Sequence, residues 1–330
     1  MPCPLCNSQR QLSRVPPGEH EKNKRNERVR VAGFFDNARE RPDEVAVVDG
    51  DHCLTWARFA DRVDRCAHVL RDAGVGVGDH VAMVMGNRSE FLEVLCACLE
   101  TGAVLTPVNW HFQPDEAAYV VENCDARVLV VDARYVPAGK RCAELPGVRR
   151  ALVTSGADEC GLERYEDALA AAPDDPIGVD GPAGGVMLYT SGTTGRPKGV
   201  RRELVAGATA RTMVAGMAFM GELLGTDTSR PHEATSPQYH APPIGFSQMT
   251  FQGGAPLVLM HQWTPEATLE LMTRWDVATT HLVPTMFTRL LRLPEQVRGF
   301  GHVKEKAVAH FRAEKARLLG ENGGTRRSAA

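Results

Sequence analysis

The stretch "MLYTSGTTGRPK", Met187–Lys198, concentrates residue types that could hold a phosphate group. Its glycines free the backbone and expose N–H groups in a concave turn, which suits phosphate oxygens. Its hydroxyl side chains add short donors, and its lysine adds a compact positive charge. The candidate phosphate-binding residues are therefore Thr190, Ser191, Gly192, Thr193, Thr194, Gly195 and Lys198.

The order of these residues argues against the other common phosphate loop. A Walker A loop needs Gly, Lys and Ser or Thr in succession, whereas Lys198 lies between Pro197 and Gly199. A general P-loop NTPase is therefore disfavoured. The alternative is an ordinary hydrophilic surface turn. A phosphate loop is favoured over it, because the segment lies between an apolar run and a helical pattern and so predicts a strand–loop–helix unit.

The elements before this loop alternate between strand-like and helical patterns. Residues 55–74 predict a helix with Thr55 as N-cap and Gly74 as its stop, and Ser89 is predicted to cap the next helix. The first helix carries one apolar face, made by Phe59, Val63, Cys66, Ala67 and Leu70. This alternation predicts an α/β fold with a largely parallel sheet and right-handed crossovers.

A link rich in Pro, Asp and Gly divides the chain before the loop. After the loop we expect a long helix from Glu203 to about Met220, and a later helix with Thr264 as N-cap and Pro265 at its first position. Strands are predicted in "EATSPQYH", "APLVLM" and "ATTHLVPT", and another helix in "MFTRLLRL". The predicted organisation is a disordered leader over 1–30, a first α/β subdomain over 31–178, a second over 179–298 that carries the phosphate loop, and a tail over 299–330.

The amino-acid composition and net charge are typical of a globular protein without a membrane span. An apolar fraction of 43% with 24% charged residues is ordinary for a soluble globular protein, and a net charge of −3 argues against nucleic acid as a partner. No apolar run approaches the ~18 residues of a membrane span. The N-terminus lacks the apolar core of a secretory signal. We expect a cytoplasmic protein without a transmembrane segment, in which the 9 scattered cysteines stay reduced.

Cys3 and Cys6 form a C-x-x-C pair at the N-terminus. A zinc site would need a second pair of ligands nearby, and His20 is the nearest candidate. A disordered leader is therefore favoured over a metal site, and metal binding at this pair is left open.

Residues Met187–Lys198 resemble the AMP-binding signature of the adenylate-forming superfamily, which includes acyl- and aryl-CoA synthetases, firefly luciferase and nonribosomal peptide adenylation domains. All twelve signature positions are met. Within residues 31–298, "LTWARFADRV", "GVGVGDHVAMVMGNRSEFLEVLCACLETGAVLTPVN" and "VPTMFTRLL" are similar to the acyl-CoA synthetase (fatty-acid–CoA ligase) branch. The resemblance implies the family's N-terminal domain, with two layered α/β subdomains and largely parallel sheets, truncated before the β-barrel and the C-terminal domain.

The same resemblance implies two half-reactions. ATP and a carboxylate give an acyl-adenylate and pyrophosphate, and the thiol of coenzyme A then displaces AMP. The loop would bind the β- and γ-phosphates while Mg²⁺ spreads the developing charge. Neither step needs a protein nucleophile, so neither a catalytic residue nor a protein metal ligand is assigned. The implied partners are ATP, Mg²⁺, coenzyme A and a fatty or aryl carboxylic acid.

The segment "SPQYHAPPIGF" resembles the family motif beside the acyl site, which implies that His240 lines the acyl pocket. A histidine in the core or at a strand end is the alternative. The following residues, "IGFSQMTFQGGAPLVLM", are consistent with a pocket for a fatty or aryl acid and equally with a packed strand and turn.

The motif resemblance ends after Arg298. The family's G-x-T-E segment is not matched, because no Thr-Glu pair occurs in the 330 residues. Its later nucleotide-binding aspartate and arginine and its C-terminal lysine are not matched either. The tail therefore favours a frameshifted, rearranged or prematurely ended continuation. We expect an AMP-forming acyl-CoA ligase by family with negligible activity of this chain alone. The alternative is a non-catalytic protein that binds nucleotide and acyl groups.

Overall fold

The computed structural model describes residues 33–156, 160–190 and 196–292. The predicted leader with Cys3 and Cys6, the predicted tail over 299–330, and the loop residues 191–195 lie outside the described residues.

Strands and helices alternate along most of the described chain. The strands are β1 Val45–Asp49, β2 His52–Thr55, β3 His80–Val84, β4 Val104–Val108, β5 Ala126–Val131, β6 Arg150–Val153, β7 Glu163–Arg164, β8 Gly185–Val186, β9 Leu188–Thr190, β10 Lys198–Val200, β11 His232–Ala234, β12 Leu257–Leu259 and β13 Thr279–Thr280. The helices are α1 Phe34–Glu40, α2 Trp56–Asp72, α3 Ser89–Thr101, α4 Pro114–Asn123, α5 Val136–Ala143, α6 Tyr165–Ala171, α7 Ala210–Leu223, α8 Ala241–Gln252, α9 Pro265–Arg274 and α10 Pro284–Leu291.

Two larger sheets and one hairpin organise these strands. The first sheet has the order β13-β11-β12-β1-β2, in which only β1 and β2 are antiparallel. The second sheet has the order β7-β6-β5-β3-β4-β8 and is parallel throughout. Strands β9 and β10 form an antiparallel hairpin. The predicted α/β fold with largely parallel sheets is confirmed.

Strand β1 pairs with β12, so the first sheet takes strands from both predicted subdomains. Strand β8, which follows the predicted boundary at residues 178 and 179, joins the second sheet through β4. The two sheets therefore do not divide at that boundary, which stays a prediction about chain segments.

Helices α2 and α3 lie in the apolar layer between the two sheets. Thr55 caps α2, as predicted, by accepting a hydrogen bond from the backbone of Arg58, and Gly74 follows the helix with a φ of 74°. Every residue from Glu90 to Thr101 of α3 is buried. A helix buried all round must have partners on every side. Its core neighbours come from both sheets, as Val47, Leu257, Met83 and Val130 illustrate.

Several local predictions differ from the structure. Helix α7 begins at Ala210 rather than near Glu203, because Gly207 turns the chain with a φ of 74° and Thr209 forms a capping box with Thr212. Ser89 is the first residue of α3 and not its cap, which is Arg88.

The segment "IGFSQMTFQGGAPLVLM" begins within helix α8, Ala241–Gln252, and ends in a turn and the buried strand β12, so the packed strand and turn describe only its second half. Pro242 of α8 occupies the first turn of the helix, where a missing N–H has no cost. Strand β11 ends at Ala234, before most of the predicted "EATSPQYH" strand. Thr264 and Pro265 do start α9 as expected.

Candidate phosphate-binding site

The two described ends of the candidate phosphate loop face each other across a hairpin. Thr190 at the end of β9 is the register partner of Lys198 at the start of β10. The Thr190 hydroxyl donates a hydrogen bond to the Lys198 carbonyl oxygen at 3.4 Å. Both residues are exposed. The structure therefore places Thr190 and Lys198 opposite each other at the exposed end of a β-ribbon, with the Thr190 hydroxyl on the Lys198 backbone.

The predicted strand–loop–helix unit is wrong after the loop, where a strand follows instead of a helix. Lys198 lies in strand β10, and the next helix begins only at Ala210. The dipole of a helix N-terminus therefore cannot assist an anion at Lys198, in contrast to nucleotide loops that run directly into a helix. The loop's own backbone N–H groups, its hydroxyl side chains and the Lys198 side chain are what the sequence offers a phosphate. The remaining candidates, Ser191 to Gly195, lie outside the described residues.

His240 is the N-cap residue of α8 and is exposed. Its ring lies 4.3 Å from that of Tyr239, centroid to centroid. Partial burial lowers the pKa of His240, so the imidazole is neutral at neutral pH and can donate or accept a hydrogen bond without adding charge. Within the described ranges, no hydrogen bond, ion pair or ring contact joins His240 to Thr190 or Lys198, and the predicted acyl role stays a prediction.

An aromatic cluster, defined here as Trp110, Tyr135 and Tyr239, lies beside His240. Trp110 stacks on Tyr135 at 5.3 Å and meets Tyr239 edge-to-face at 6.4 Å. Trp110 and Tyr135 follow β4 and β5 of the second sheet, and Tyr239 follows β11 of the first sheet. The cluster therefore joins the carboxyl ends of the two sheets, where open α/β folds place their ligands.

Asn87 is a positioning residue that the motif analysis missed. Its side-chain N–H groups donate to the carbonyl oxygens of Ala234, Ser236 and Met260 at 3.1, 3.0 and 3.2 Å. Its side-chain oxygen accepts from the backbone N–H of Gln238 at 3.1 Å. This buried amide holds the loop that leads to His240 against the end of β12. The available signal was a polar residue three positions after the end of the buried strand β3.

Acidic side chains at these strand ends are already paired. Burial alone would raise the pKa of Asp49, but hydrogen bonds from His261 at 2.7 Å and from the Ser89 backbone at 2.9 Å outweigh it and hold the pKa below its usual range. Burial of Asp132 is likewise outweighed by Arg134 and Arg88, and its pKa is lowered. Both groups are therefore ionised carboxylates whose charge is balanced by neighbours.

Within residues 33–156, 160–190 and 196–292, no group of three or more His, Cys, Asp or Glu side chains could hold a metal ion. Asp49 and Asp132 are engaged by His261 and Arg134.

Residues 34–320 match the family described as AMP-binding enzyme. The matched range continues past Arg298, where the motif resemblance was expected to end. In the same described ranges, no helix has the length and apolar character needed to cross a membrane.

Two curated relatives show the range of similar proteins. A medium/long-chain-fatty-acid–CoA/3-oxocholest-4-en-26-oate–CoA ligase of Mycobacterium tuberculosis is 36% identical over 166 residues, which cover 48% of this chain and 30% of the relative. A feruloyl-CoA synthase of Amycolatopsis sp is 32% identical over 260 residues, which cover 78% of this chain and 49% of the relative. The chain thus spans half or less of the length of these relatives.

Solved structures share the fold. The N-terminal domain of FACL13 from Mycobacterium tuberculosis, in an inhibitor-bound crystal structure, superposes with a TM-score of 0.66 at 22% identity, covering 84% of this chain and 72% of that domain. At this identity the similarity shows the fold alone.

Proposed function

Because the chain belongs to the AMP-binding enzyme family, we propose that it supplies the phosphate-holding and acyl-facing part of an AMP-forming acid–thiol ligase. The observation that carries the proposal is the pairing of Thr190 with Lys198 at the exposed end of the β9–β10 hairpin. A phosphate near this end could be reached by the Lys198 ammonium group and the Thr190 hydroxyl together.

The proposed chemistry has two displacements. In the first, a carboxylate oxygen of the acid forms a bond to the α-phosphorus of ATP, and the bond between that phosphorus and the bridging oxygen breaks to release pyrophosphate. In the second, the thiol of coenzyme A loses its proton to solvent, its sulfur forms a bond to the acyl carbon, and AMP leaves with the electron pair of the broken carbon–oxygen bond. Lys198 and Thr190 would act in the first step, where negative charge accumulates on the leaving pyrophosphate.

The acyl group is proposed to lie near His240 and the aromatic cluster. A neutral His240 suits this place, because an imidazolium would hold the incoming carboxylate instead of releasing it toward phosphorus. The similarity to a fatty-acid–CoA ligase and a feruloyl-CoA synthase supports a fatty or aryl acid as the substrate class.

Mg²⁺, when bound with ATP, neutralises phosphate charge in reactions of this kind. Two described carboxylates at the strand ends are engaged by protein groups, Asp49 by a hydrogen bond with His261 and Asp132 by an ion pair with Arg134, and neither is assigned to the metal. No step assigned to this chain's residues therefore passes through the metal.

We propose that the 330-residue chain alone catalyses thioester formation slowly. The sequence contains no Thr-Glu pair to match the family's nucleotide- and metal-contacting segment. Loss of a single preorganised charge-stabilising group costs about 10²–10³-fold in rate. A protein that binds nucleotide and acyl groups without turning them over is the second candidate, and the same observation favours it for this chain in isolation.

Two measurements on the purified 330-residue chain test these proposals. With ATP, Mg²⁺, coenzyme A and a panel of short, long and aryl acids, we expect thioester formation at least about 100-fold slower than by an intact feruloyl-CoA synthase. Turnover near that of the intact enzyme would show that residues of this chain replace the unmatched segments.

The second measurement is the affinity for pyrophosphate by titration calorimetry. Lys198→Ala should weaken binding by about tenfold or more, because a hydrogen bond to a charged group contributes about 1.5–3 kcal/mol. Lys198→Arg should retain part of the affinity, and Lys140→Ala, which removes another exposed lysine, should retain all of it. Equal affinity of wild type and Lys198→Ala would exclude this hairpin as the phosphate site.

A further inference from the structure

One face of helix α4, near the C-terminal end of the helix, contacts the β9–β10 hairpin. Tyr119 and Asn123 are four residues apart and therefore lie on the same side of α4. Asp125 follows the helix with a φ of 56°, a left-handed conformation that turns the chain away from the helix axis. These three residues, called here the α4 platform, come from a part of the chain that no AMP-binding motif includes.

Each residue of the α4 platform meets a different part of the hairpin. The Tyr189 hydroxyl of β9 donates a hydrogen bond to the Asn123 side-chain oxygen at 2.7 Å. The guanidinium of Arg201, directly after β10, pairs with Asp125 at 3.0 Å. The guanidinium of Arg196, just before β10, lies 5.1 Å from the centroid of the Tyr119 ring. The contacts thus hold both strands of the hairpin and one side of the loop.

Apolar packing places the Tyr189 ring against the same helix. Met187 is buried in a cluster that includes Val120, Val121 and Cys124, and Tyr189 packs against that cluster. Burial raises the pKa of Tyr189, so its phenol keeps the proton that it donates to Asn123. The ring and its hydroxyl therefore fix β9 by one apolar and one polar contact.

The hairpin needs such support because each strand has three residues. A two-stranded hairpin is at best marginally stable by itself. The flexible side chain of Lys198 starts from its exposed end. A side chain binds phosphate effectively only when the backbone that carries it holds it in a productive orientation.

We infer that the α4 platform positions the phosphate-binding hairpin, with Asn123 as the main positioning residue. Asn123 itself touches the Tyr189 hydroxyl and is assigned no contact with substrate. The Asn123–Tyr189 hydrogen bond and the Arg201–Asp125 pair both lie at exposed positions. The packed Tyr189 ring fixes the donor of the hydrogen bond, whereas solvent screens the ion pair between two exposed side chains, which is expected to add little. This inference rests on the proposed function, since it gives the platform a purpose only if the hairpin binds phosphate.

The test combines amide hydrogen exchange of residues 188–200 with pyrophosphate affinity, both on the full 330-residue chain. Asn123→Ala and Tyr189→Phe each remove the same hydrogen bond, whose usual contribution corresponds to about fivefold in an equilibrium. Both variants should exchange hairpin amides about fivefold faster and bind pyrophosphate correspondingly more weakly.

Two further variants separate positioning from general stability. Asn123→Asp keeps an acceptor oxygen for Tyr189 and should restore slow exchange. Arg141→Ala removes the exposed pair with Asp115 at the other end of α4 and should leave the hairpin unchanged. Exchange in α2 should stay the same in all variants, because none of them touches the central layer.

The outcomes distinguish the two proposals. Hairpin exchange that is the same in wild type, Asn123→Ala and Tyr189→Phe overturns the inference, while pyrophosphate binding by the wild type leaves the proposed function standing. If the two variants change hairpin exchange but the wild-type chain does not bind pyrophosphate, the proposed function is overturned. The positioning role is then overturned with it. Faster exchange with weaker binding in both variants, restored by Asn123→Asp, supports the inference.

Discussion

Two fully buried glutamates show how environment decides the state of a side chain. Glu93 on α3 accepts a hydrogen bond from Arg62 at 2.7 Å and another from the Tyr165 hydroxyl at 3.0 Å. Glu233 on β11 is equally buried, but among the described residues neither of its oxygens has a hydrogen-bond partner. Burial raises the pKa of Glu233 to about 8. Burial also raises the pKa of Glu93, to about 7, although Arg62 and Tyr165 act in the opposite direction. Glu93 is therefore hydrogen-bonded to two partners, whereas Glu233 keeps its proton at neutral pH.

Glu233 makes the stability of the fold depend on pH. Between its ordinary pKa of 4.5 and its folded pKa of about 8, the folded chain keeps a proton that the unfolded chain has lost. The free energy of unfolding therefore falls as pH rises through this window, by up to about 1.4 kcal/mol for each pH unit. Glu233→Gln removes this term, so the variant should gain stability over wild type as pH rises from 5 to 8.

Urea unfolding at pH 5 and pH 8 measures this effect. The difference between the two proteins should be smallest at pH 5, which lies only about half a unit above the ordinary pKa of 4.5, and should widen toward pH 8. Glu270→Gln, at an exposed position on α9, is the control and should show no such divergence. A difference between Glu233→Gln and wild type that is the same at both pH values would contradict a protonated Glu233.

At the scale of elements, the packing of the segment that leads into the β9–β10 hairpin depends on one glycine, Gly184. The Gly184 backbone N–H donates to the Leu99 carbonyl oxygen at 2.9 Å, and that of Gly185 to the Ala103 carbonyl oxygen at 3.0 Å. A Cβ atom on Gly184 would overlap the carbonyl oxygens of Cys98 and Ala103. Backbone atoms cannot rotate away as a flexible side chain can, so only glycine fits between α3 and β4.

Gly184→Ala should therefore destabilise the fold by about 3 kcal/mol, at the upper end of the usual cost of overpacking. It should also loosen β8 and the hairpin that follows. Gly181→Ala is a matched control three residues earlier, since a Cβ there meets nothing within 4 Å. Thermal unfolding compares the two variants. Equal midpoints for Gly184→Ala and Gly181→Ala would mean that the close approach is not maintained in solution.

At the scale of the whole molecule, an apolar stripe remains exposed beside the edge of the first sheet. Val283, Phe287 and Leu291, spaced four residues apart at the start of α10 and along it, are 40%, 54% and 77% exposed. The neighbouring strand β13 is the edge of that sheet. Contiguous exposed apolar surface and open sheet edges both promote association.

We expect the purified chain to self-associate through this stripe. Phe287→Glu combined with Leu291→Glu should lower the association state measured by sedimentation velocity over a range of concentrations. Thr285→Glu combined with Thr288→Glu adds the same charge to exposed positions of α10 that lie off the stripe and should change the state less. If the two double variants lower the association state equally, the added negative charge causes the change and the stripe does not.

The sequence by itself determined the features that depend on neighbouring residues. Periodicity and capping chemistry predicted α2 with Thr55 as its cap and α9 with Thr264 as its cap, because these signals act within one or two turns. The alternation of strands and helices predicted the α/β fold. The motif at Met187–Lys198 predicted the family, since its glycines, hydroxyl groups and lysine occur in an order that few other sites require.

Only the tertiary structure decided how distant segments meet. The pairing of β1 with β12 joins residues about 210 positions apart, and no local pattern specifies such a partner. The same holds for the contact of Asn123 with Tyr189 and for the four hydrogen bonds of Asn87. The strand at Lys198–Val200 was mistaken for the approach to a helix, because its conformation comes from pairing with Leu188–Thr190 and not from its own residues.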